Sequence, residues 1–351
     1  MVNRSLALLR GEGEFLSMIS AAVNVVSIGC TRQPFALLSP FSKLARYFQE
    51  ARPDVVLSFG HTINCLAAWA KLLRRFPFRL IVSERSSFGT RMAEDARLQR
   101  WRRVARARFL YGQAELCVCV SRGVADELVE LGVMPRGKIR VIYNPIVGPG
   151  LTEQMMAPVS HPWLSYAMPP VILSAGRLMD LKGLDTLIRA FARLRRGMQI
   201  DARLIIAGEG PERRNLEALA AEMDVAEDVC FTGYTPNPYA YMAKAAVVTL
   251  SSHYEGFGNV LAEALACGAN VVSTDCRSGP REILEDGKWG RLVPVGDADA
   301  FSAALRDTLA APLPAEALKT RAAHFSVERS VEAYCGAIFG SGSPPQTEGA
   351  S

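Results

Sequence analysis

The chain has 351 residues, 49% of them apolar and 21% charged, with a formal net charge of +5. That length suggests two domains, and that composition buries real cores, which excludes a disordered chain. The charge excess is too small to argue for nucleic acid, and no apolar run approaches the roughly 18 residues of a membrane span.

Taken in chain order, the N-terminal segment MVNRSLALLRGEGEF is too short in its apolar part for a signal peptide, so a cytoplasmic protein is expected. Short apolar runs at 54–59, 79–83, 116–120 and 139–142 then read as strands. A Pro- and Gly-rich stretch without clear period follows at 149–169 and reads as a linker. Strand-like runs resume at 171–174, 202–206, 229–231, 246–250 and 270–273, with helical stretches between them, as at 184–195 and 213–223. Continuous apolar strands alternating with helices imply parallel sheets covered on both faces. The expected layout is an N-terminal doubly wound domain over 1–148, the linker, a second domain over 170–325, a helix over 326–340 packing back, and a disordered tail over 341–351. The eight cysteines include no CxxC pair and the four histidines no ligand spacing, so reduced thiols are expected rather than a zinc site or a disulfide framework.

In a doubly wound sheet, ligands bind beyond the carboxyl ends of the strands. The strand at 171–174 leads into Gly176, Arg177 and Lys182, two cations five residues apart at the entry to a helix. Loop amides, a helix N-terminus and two cations suit a diphosphate, although the spacing alone is equally that of solvated surface cations. The strand at 202–206 leads into Gly208-Glu209-Gly210-Pro211, which by itself reads as a tight turn. The third strand end carries SSHYEGFGNVLAEALACGANVV, residues 251–272, with Glu255 in a Gly-rich loop and Glu263 as the only charge on a short apolar helix. A buried carboxylate is costly unless something donates to it. Sugar or ribose hydroxyls would serve, and so would a helix cap for one acid and a buried Arg for the other.

Together these motifs resemble the retaining glycosyltransferases of family four, which have the GT-B fold of two Rossmann-like domains facing across a cleft. The resemblance is carried by GRLMDLKG at 176–183, AGEGPER at 207–213, TGY at 232–234, EGFGNVLAEALACG at 255–268 and TDCRSGPREIL at 274–284. Glu255 and Glu263 match the family's E-x7-E pattern, and the segments around Tyr143-Asn144-Pro145 and 237–242 look like bacterial enzymes of polysaccharide and glycolipid assembly, some of which transfer N-acetylgalactosamine. The resemblance implies a nucleotide-sugar donor, UDP favoured, with the diphosphate on Arg177 and Lys182. It implies the ribose on Glu263, the donor sugar near Glu255 and His61, and the base pocket lined by Gly208 and Tyr234. The amides of Phe257, Gly258, Asn259 and Val260, with Gly176, would meet sugar and phosphate. No metal or cofactor is expected, since the cations serve in its place and no Asp-x-Asp motif stands at a strand end.

The N-terminal half is then expected to bind a lipid-linked or polysaccharide acceptor, with Ser83-Glu84-Arg85, after another strand, also lining the cleft. The basic-apolar stretches 71–79 and 97–111 suit an anionic membrane surface, or simply a solvated helix face. The protein is thus expected to lie peripherally on the inner face of the plasma membrane and to bind no nucleic acid. Family members open on a strand, a Gly-rich loop and a helix ahead of the region matched by Leu6 to Leu9. Here five residues precede it, so the first N-terminal strand and helix are expected to be missing. Two other readings share these residues: a nucleotide-sugar epimerase on the same fold, and an inactive partner subunit of a transferase.

Overall fold

A computed structural model describes residues 4–9, 11, 16–29, 38–89, 96–165 and 168–340. Strands β1 (Ser5–Leu8) and β2 (Asn24–Ser27) pair parallel with each other. Strands β3 (Val55–Phe59), β4 (Arg79–Glu84), β5 (Leu116–Cys119) and β6 (Ile139–Val141) form a second parallel sheet in that spatial order. Helices α1 (Leu38–Ala51), α2 (His61–Arg74), α3 (Arg97–Tyr111) and α4 (Arg122–Glu130) alternate with these strands. Leu80, Ile81 and Val82 are all wholly buried, as strands covered on both faces require.

The C-terminal half holds β7 (Val171–Ala175), β8 (Arg203–Ala207), β9 (Val229–Gly233), β10 (Val247–Leu250), β11 (Asn270–Thr274) and β12 (Arg291–Val293). They lie in the order β12-β11-β10-β7-β8-β9, all parallel. From β7 the chain steps outward through β8 and β9, then returns to β10 on the other side, so the switch point lies between β7 and β10. A crevice opens at such a point because the flanking loops diverge to opposite faces. The helices here are α5 (Leu151–Met156), α6 (Leu184–Ala192), α7 (Arg213–Glu222), α8 (Pro238–Met242), α9 (Asn259–Ala266), α10 (Pro280–Ile283), α11 (Ala298–Ala310), α12 (Ala315–Ala322) and α13 (Val327–Phe339).

Most expected strands agree to within a residue or two with those observed. The helix expected over 184–195 ends earlier: α6 stops at Ala192 and a π-helical turn, Arg193–Gly197, continues it. That turn carries Arg195, which bridges Asp201 and Asp228 at 2.7 and 2.9 Å and so holds the widened turn against the neighbouring loops. Residues 149–169 carry α5, which packs on α8, where Asn237 Nδ2 donates to the Gln154 carbonyl at 2.8 Å. Helix α13 runs back to the N-terminal sheet: Ala337 packs with Ile81, Val118 and Ile142, and Arg79 donates to the Ile338 carbonyl at 2.8 Å. The tail over 341–351 and Cys30 lie outside the described residues, and the described cysteines are free thiols.

Candidate active site

Two adjoining cavities, of 410 and 560 Å³, lie along the carboxyl ends of the C-terminal strands and share Ala175 and Glu263 as walls. Lys182 and the loop from Glu255 to Val260 line the first, which therefore takes in Phe257, Gly258 and Asn259. Gly176, Arg177, Gly208 and Tyr234 line the second. Residues from four separate strand ends thus meet at the switch point, as the sheet order dictates.

Glu263 stands one turn into α9, where Leu261, Ala262, Ala264, Leu265 and Ala266 pack into the core. Its carboxylate is left at the common wall of the cavities. Among the described residues no side chain or amide donates to it and no cation pairs with it, so neither a capping role nor a buried Arg accounts for it. Burial raises its pKa from the ordinary 4.5 to about 7. Glu255 is differently placed. It takes Lys182 Nζ at 2.6 Å and the Ser252 hydroxyl at 2.7 Å. The turn bearing Lys182 is in turn knitted to this loop, with Ser251 Oγ donating to the Lys182 carbonyl at 2.8 Å and His253 N to the Leu181 carbonyl at 2.9 Å. Arg177 is exposed and has no ion pair among the described residues, so its charge faces the second cavity uncompensated.

The second cavity depends on a close backbone approach. Gly208 has φ 153°, and a Cβ there would stand 1.8 Å from the Gly176 carbonyl oxygen. Only glycine lets the β7 and β8 loops touch here. Tyr234, 66% exposed, rises beside them.

The N-terminal half reaches the first cavity through Arg85, after β4, and Asn144, after β6. Asn144 Nδ2 donates to Asn259 Oδ1 at 2.6 Å, and Ser121 Oγ to the Gly256 carbonyl at 2.7 Å. At Gly256 a Cβ would stand 2.3 Å from the Arg85 carbonyl oxygen, so the two halves meet backbone to backbone. Of the expected Ser83-Glu84-Arg85 only Arg85 lines a cavity, since Ser83 and Glu84 are wholly buried; the strand-end position of Asn144 was the available signal for that residue. His61 is placed otherwise. It opens α2 but lines neither cavity; its ring is buried, edge-on to Phe88, with Nδ1 3.2 Å from the Tyr111 hydroxyl and 3.8 Å from Glu84. Tyr111 donates to Glu84 at 2.6 Å, and burial, reinforced by that carboxylate, holds its phenol well above the usual range.

Comparison with known proteins bears on the family and the fold. Residues 7–145 match the model of the glycosyl transferase 4-like domain and residues 160–325 that of the glycosyl transferases group 1. Over 200 residues the chain is 36% identical to N-acetylgalactosamine-N,N'-diacetylbacillosaminyl-diphospho-undecaprenol 4-alpha-N-acetylgalactosaminyltransferase of Campylobacter jejuni, covering 57% of this chain and 52% of the relative. Over 230 residues it is 34% identical to the lipopolysaccharide core biosynthesis glycosyltransferase LpsE of Rhizobium meliloti, covering 64% of each. The aligned regions thus span about half to two thirds of these curated relatives' length. The fold is that of Anabaena HepE, solved in complex with UDP, with a TM-score of 0.73 at 19% identity over 93% of this chain and 88% of that one. Two glycosyltransferase domains in tandem, on two Rossmann-like sheets facing across a cleft, make this chain a member of the family-four glycosyltransferases of the GT-B fold.

Proposed function

We propose that the chain transfers a sugar, with retention of configuration, from a UDP-sugar such as a UDP-N-acetylhexosamine to a lipid-linked or polysaccharide acceptor. The observation that carries this is Glu263: a carboxylate on the wall shared by two cavities, raised to about 7 by burial and given no donor by the described residues. Vicinal ribose hydroxyls supply what it lacks. The UDP complex of HepE supports the nucleotide, and the name of the Campylobacter jejuni relative supports an N-acetylhexosamine and a diphospho-polyprenol acceptor.

Breaking the anomeric C–O bond puts negative charge on the leaving diphosphate. Arg177, Lys182 and the free amides opening α9 are preorganised to receive it, a purely electrostatic contribution, and the reaction is proposed to need no metal. Lys182 already sits on Glu255, so an arriving diphosphate would share this lysine while Glu255 keeps the Ser252 hydroxyl and faces the sugar. The acceptor would enter from the side of Arg85 and Asn144.

Among the described residues no helix is long and apolar enough to cross a membrane. Helix α3 offers another way to meet a lipid-linked acceptor. Leu98, Trp101 and Phe109 are 58, 67 and 62% exposed. At helical spacing they share one face with Ala105, flanked by Arg97 and Arg108 on one side and Arg102 and Arg106 on the other. An exposed apolar stripe between cations suits the headgroup region of an anionic bilayer, and peripheral attachment to the cytoplasmic face is the proposed location. The test is a panel of UDP- and GDP-sugars with a polyprenyl-diphosphate-linked sugar, with and without EDTA, run beside Glu263→Ala and Lys182→Ala. Transfer from a UDP-sugar that survives EDTA and is lost in both variants is expected. Failure of the chain to bind any nucleotide would end this reading.

A further inference from the structure

Three hydrogen bonds between the two halves end on one carboxylate that lines neither cavity. Glu282, on α10, accepts the backbone N–H of Arg122 at 2.8 Å and of Gly123 at 2.9 Å, and the Tyr143 hydroxyl at 3.2 Å. Arg122 and Gly123 are the first two residues of α4, so these amides are among the donors that a helix leaves free at its positive end. Ser121 caps the same helix, accepting from Val124 N at 3.2 Å, while its hydroxyl donates to the Gly256 carbonyl at 2.7 Å. One turn of the N-terminal half is therefore bonded at once to Glu282 and to the loop that lines the first cavity.

Both sides of this junction are themselves bonded to their surroundings. The buried Arg321 donates to the Glu282 carbonyl at 2.7 Å and to the Ile283 carbonyl at 2.9 Å, which fixes the turn bearing the carboxylate. The Tyr143 ring stacks on Phe257 with centroids 5.5 Å apart, and Phe257 lines the first cavity. Glu282 thus lines neither of the two cavities yet holds Tyr143 and the α4 turn, each of which contacts the 255–260 loop.

We infer that Glu282 is a positioning residue: its carboxylate sets the N-terminal half in register against the Glu255–Val260 loop, so that an acceptor bound above β3–β6 meets the sugar bound above β7 and β10. The transfer geometry in this statement rests on the glycosyltransferase reading above; the junction itself does not. A carboxylate suits the task because charge-assisted bonds to two helix amides are short and directional.

The test uses Glu282→Ala and Glu282→Gln, the second keeping the shape and one acceptor oxygen. Amide hydrogen exchange, measured with no substrate present, is expected to quicken about tenfold or more in Glu282→Ala, both at 121–125 and at 254–260, with Glu282→Gln between it and the parent. Unchanged exchange at 254–260 would overturn the junction. With substrates, kcat is expected to fall at least tenfold in Glu282→Ala and to recover in part in Glu282→Gln, while the UDP dissociation constant stays within about twofold of the parent. A matching loss of UDP affinity would make Glu282 a prop of the donor loop instead, and an unchanged kcat would sink the positioning role. If the parent itself binds no nucleotide, the transferase reading fails while the exchange measurement still decides the junction.

Discussion

Replacing Glu263 by Gln separates a group kept for binding from one kept for folding. Burial raises the Glu263 pKa from 4.5 to about 7. At about 1.4 kcal/mol for each tenfold change in proton affinity, that rise is worth about 3 kcal/mol. The sign follows from the proton count. Between pH 4.5 and 7 the folded state holds a proton that the unfolded chain has released, so stability falls as pH rises through this window and levels off above 7. Glutamine carries no such penalty. Glu263→Gln should therefore be more stable than the parent by up to about 3 kcal/mol at pH 8, and the gain should shrink as pH falls toward 4.5. For a domain of this size that is an increase of roughly 6–12 °C in melting temperature, read by calorimetry at pH 8 and at pH 5. UDP affinity should move the other way. Ribose hydroxyls favour the ionised carboxylate, so the parent should bind UDP more tightly as pH rises through about 7 and should release a proton on binding, while Glu263→Gln binds weakly at every pH. A variant no more stable than the parent at pH 8 would refute the reasoning, because it would mean that the free protein already satisfies this carboxylate.

The two cations should part company. Arg177→Ala removes an exposed charge with no ion pair among the described residues and should leave stability within about 0.5 kcal/mol while weakening UDP roughly ten- to a hundredfold by calorimetry. Lys182→Ala should weaken UDP as well and also cost about 2 kcal/mol in denaturant unfolding, since it strands Glu255, whose side chain is only 13% exposed. Gly256→Ala puts a methyl 2.3 Å from the Arg85 carbonyl oxygen, so the halves must separate; transfer should fall more than tenfold with UDP binding largely kept, and unchanged transfer would contradict the close approach. Replacing Arg102 and Arg106 together by Ala should weaken binding to anionic vesicles by about 2 kcal/mol, roughly thirtyfold, in sedimentation assays. Equal binding of the parent to neutral vesicles would remove the electrostatic part of that proposal.

The sequence by itself determined the parallel strands, because a strand buried on both faces must be apolar throughout, and runs such as Val171-Ile172-Leu173 leave no other reading once helices separate them. It also determined the family, since GRLMDLKG and EGFGNVLAEALACG place Gly, cations and acids at strand ends in fixed order. It was silent where local pattern is weak. The short strand β12 has no long apolar run, and the π-helical turn after α6 is set by Arg195 reaching Asp201 and Asp228 rather than by its own periodicity. Only the tertiary structure decided which charges meet. Lys182 and Glu255 are far apart in sequence, and nothing local says that they pair while Arg177 and Glu263 have no partner among the described residues. The strand-end position of His61 matched a cleft residue, while in the structure its ring packs against Tyr111 and Phe88 and lines neither of the two cavities. Nor could any local signal bring Glu282 to the first turn of α4. Those contacts follow from the switch point between β7 and β10 and from how the two sheets face each other, and charge pairing across such separations is fixed by packing rather than by spacing along the chain.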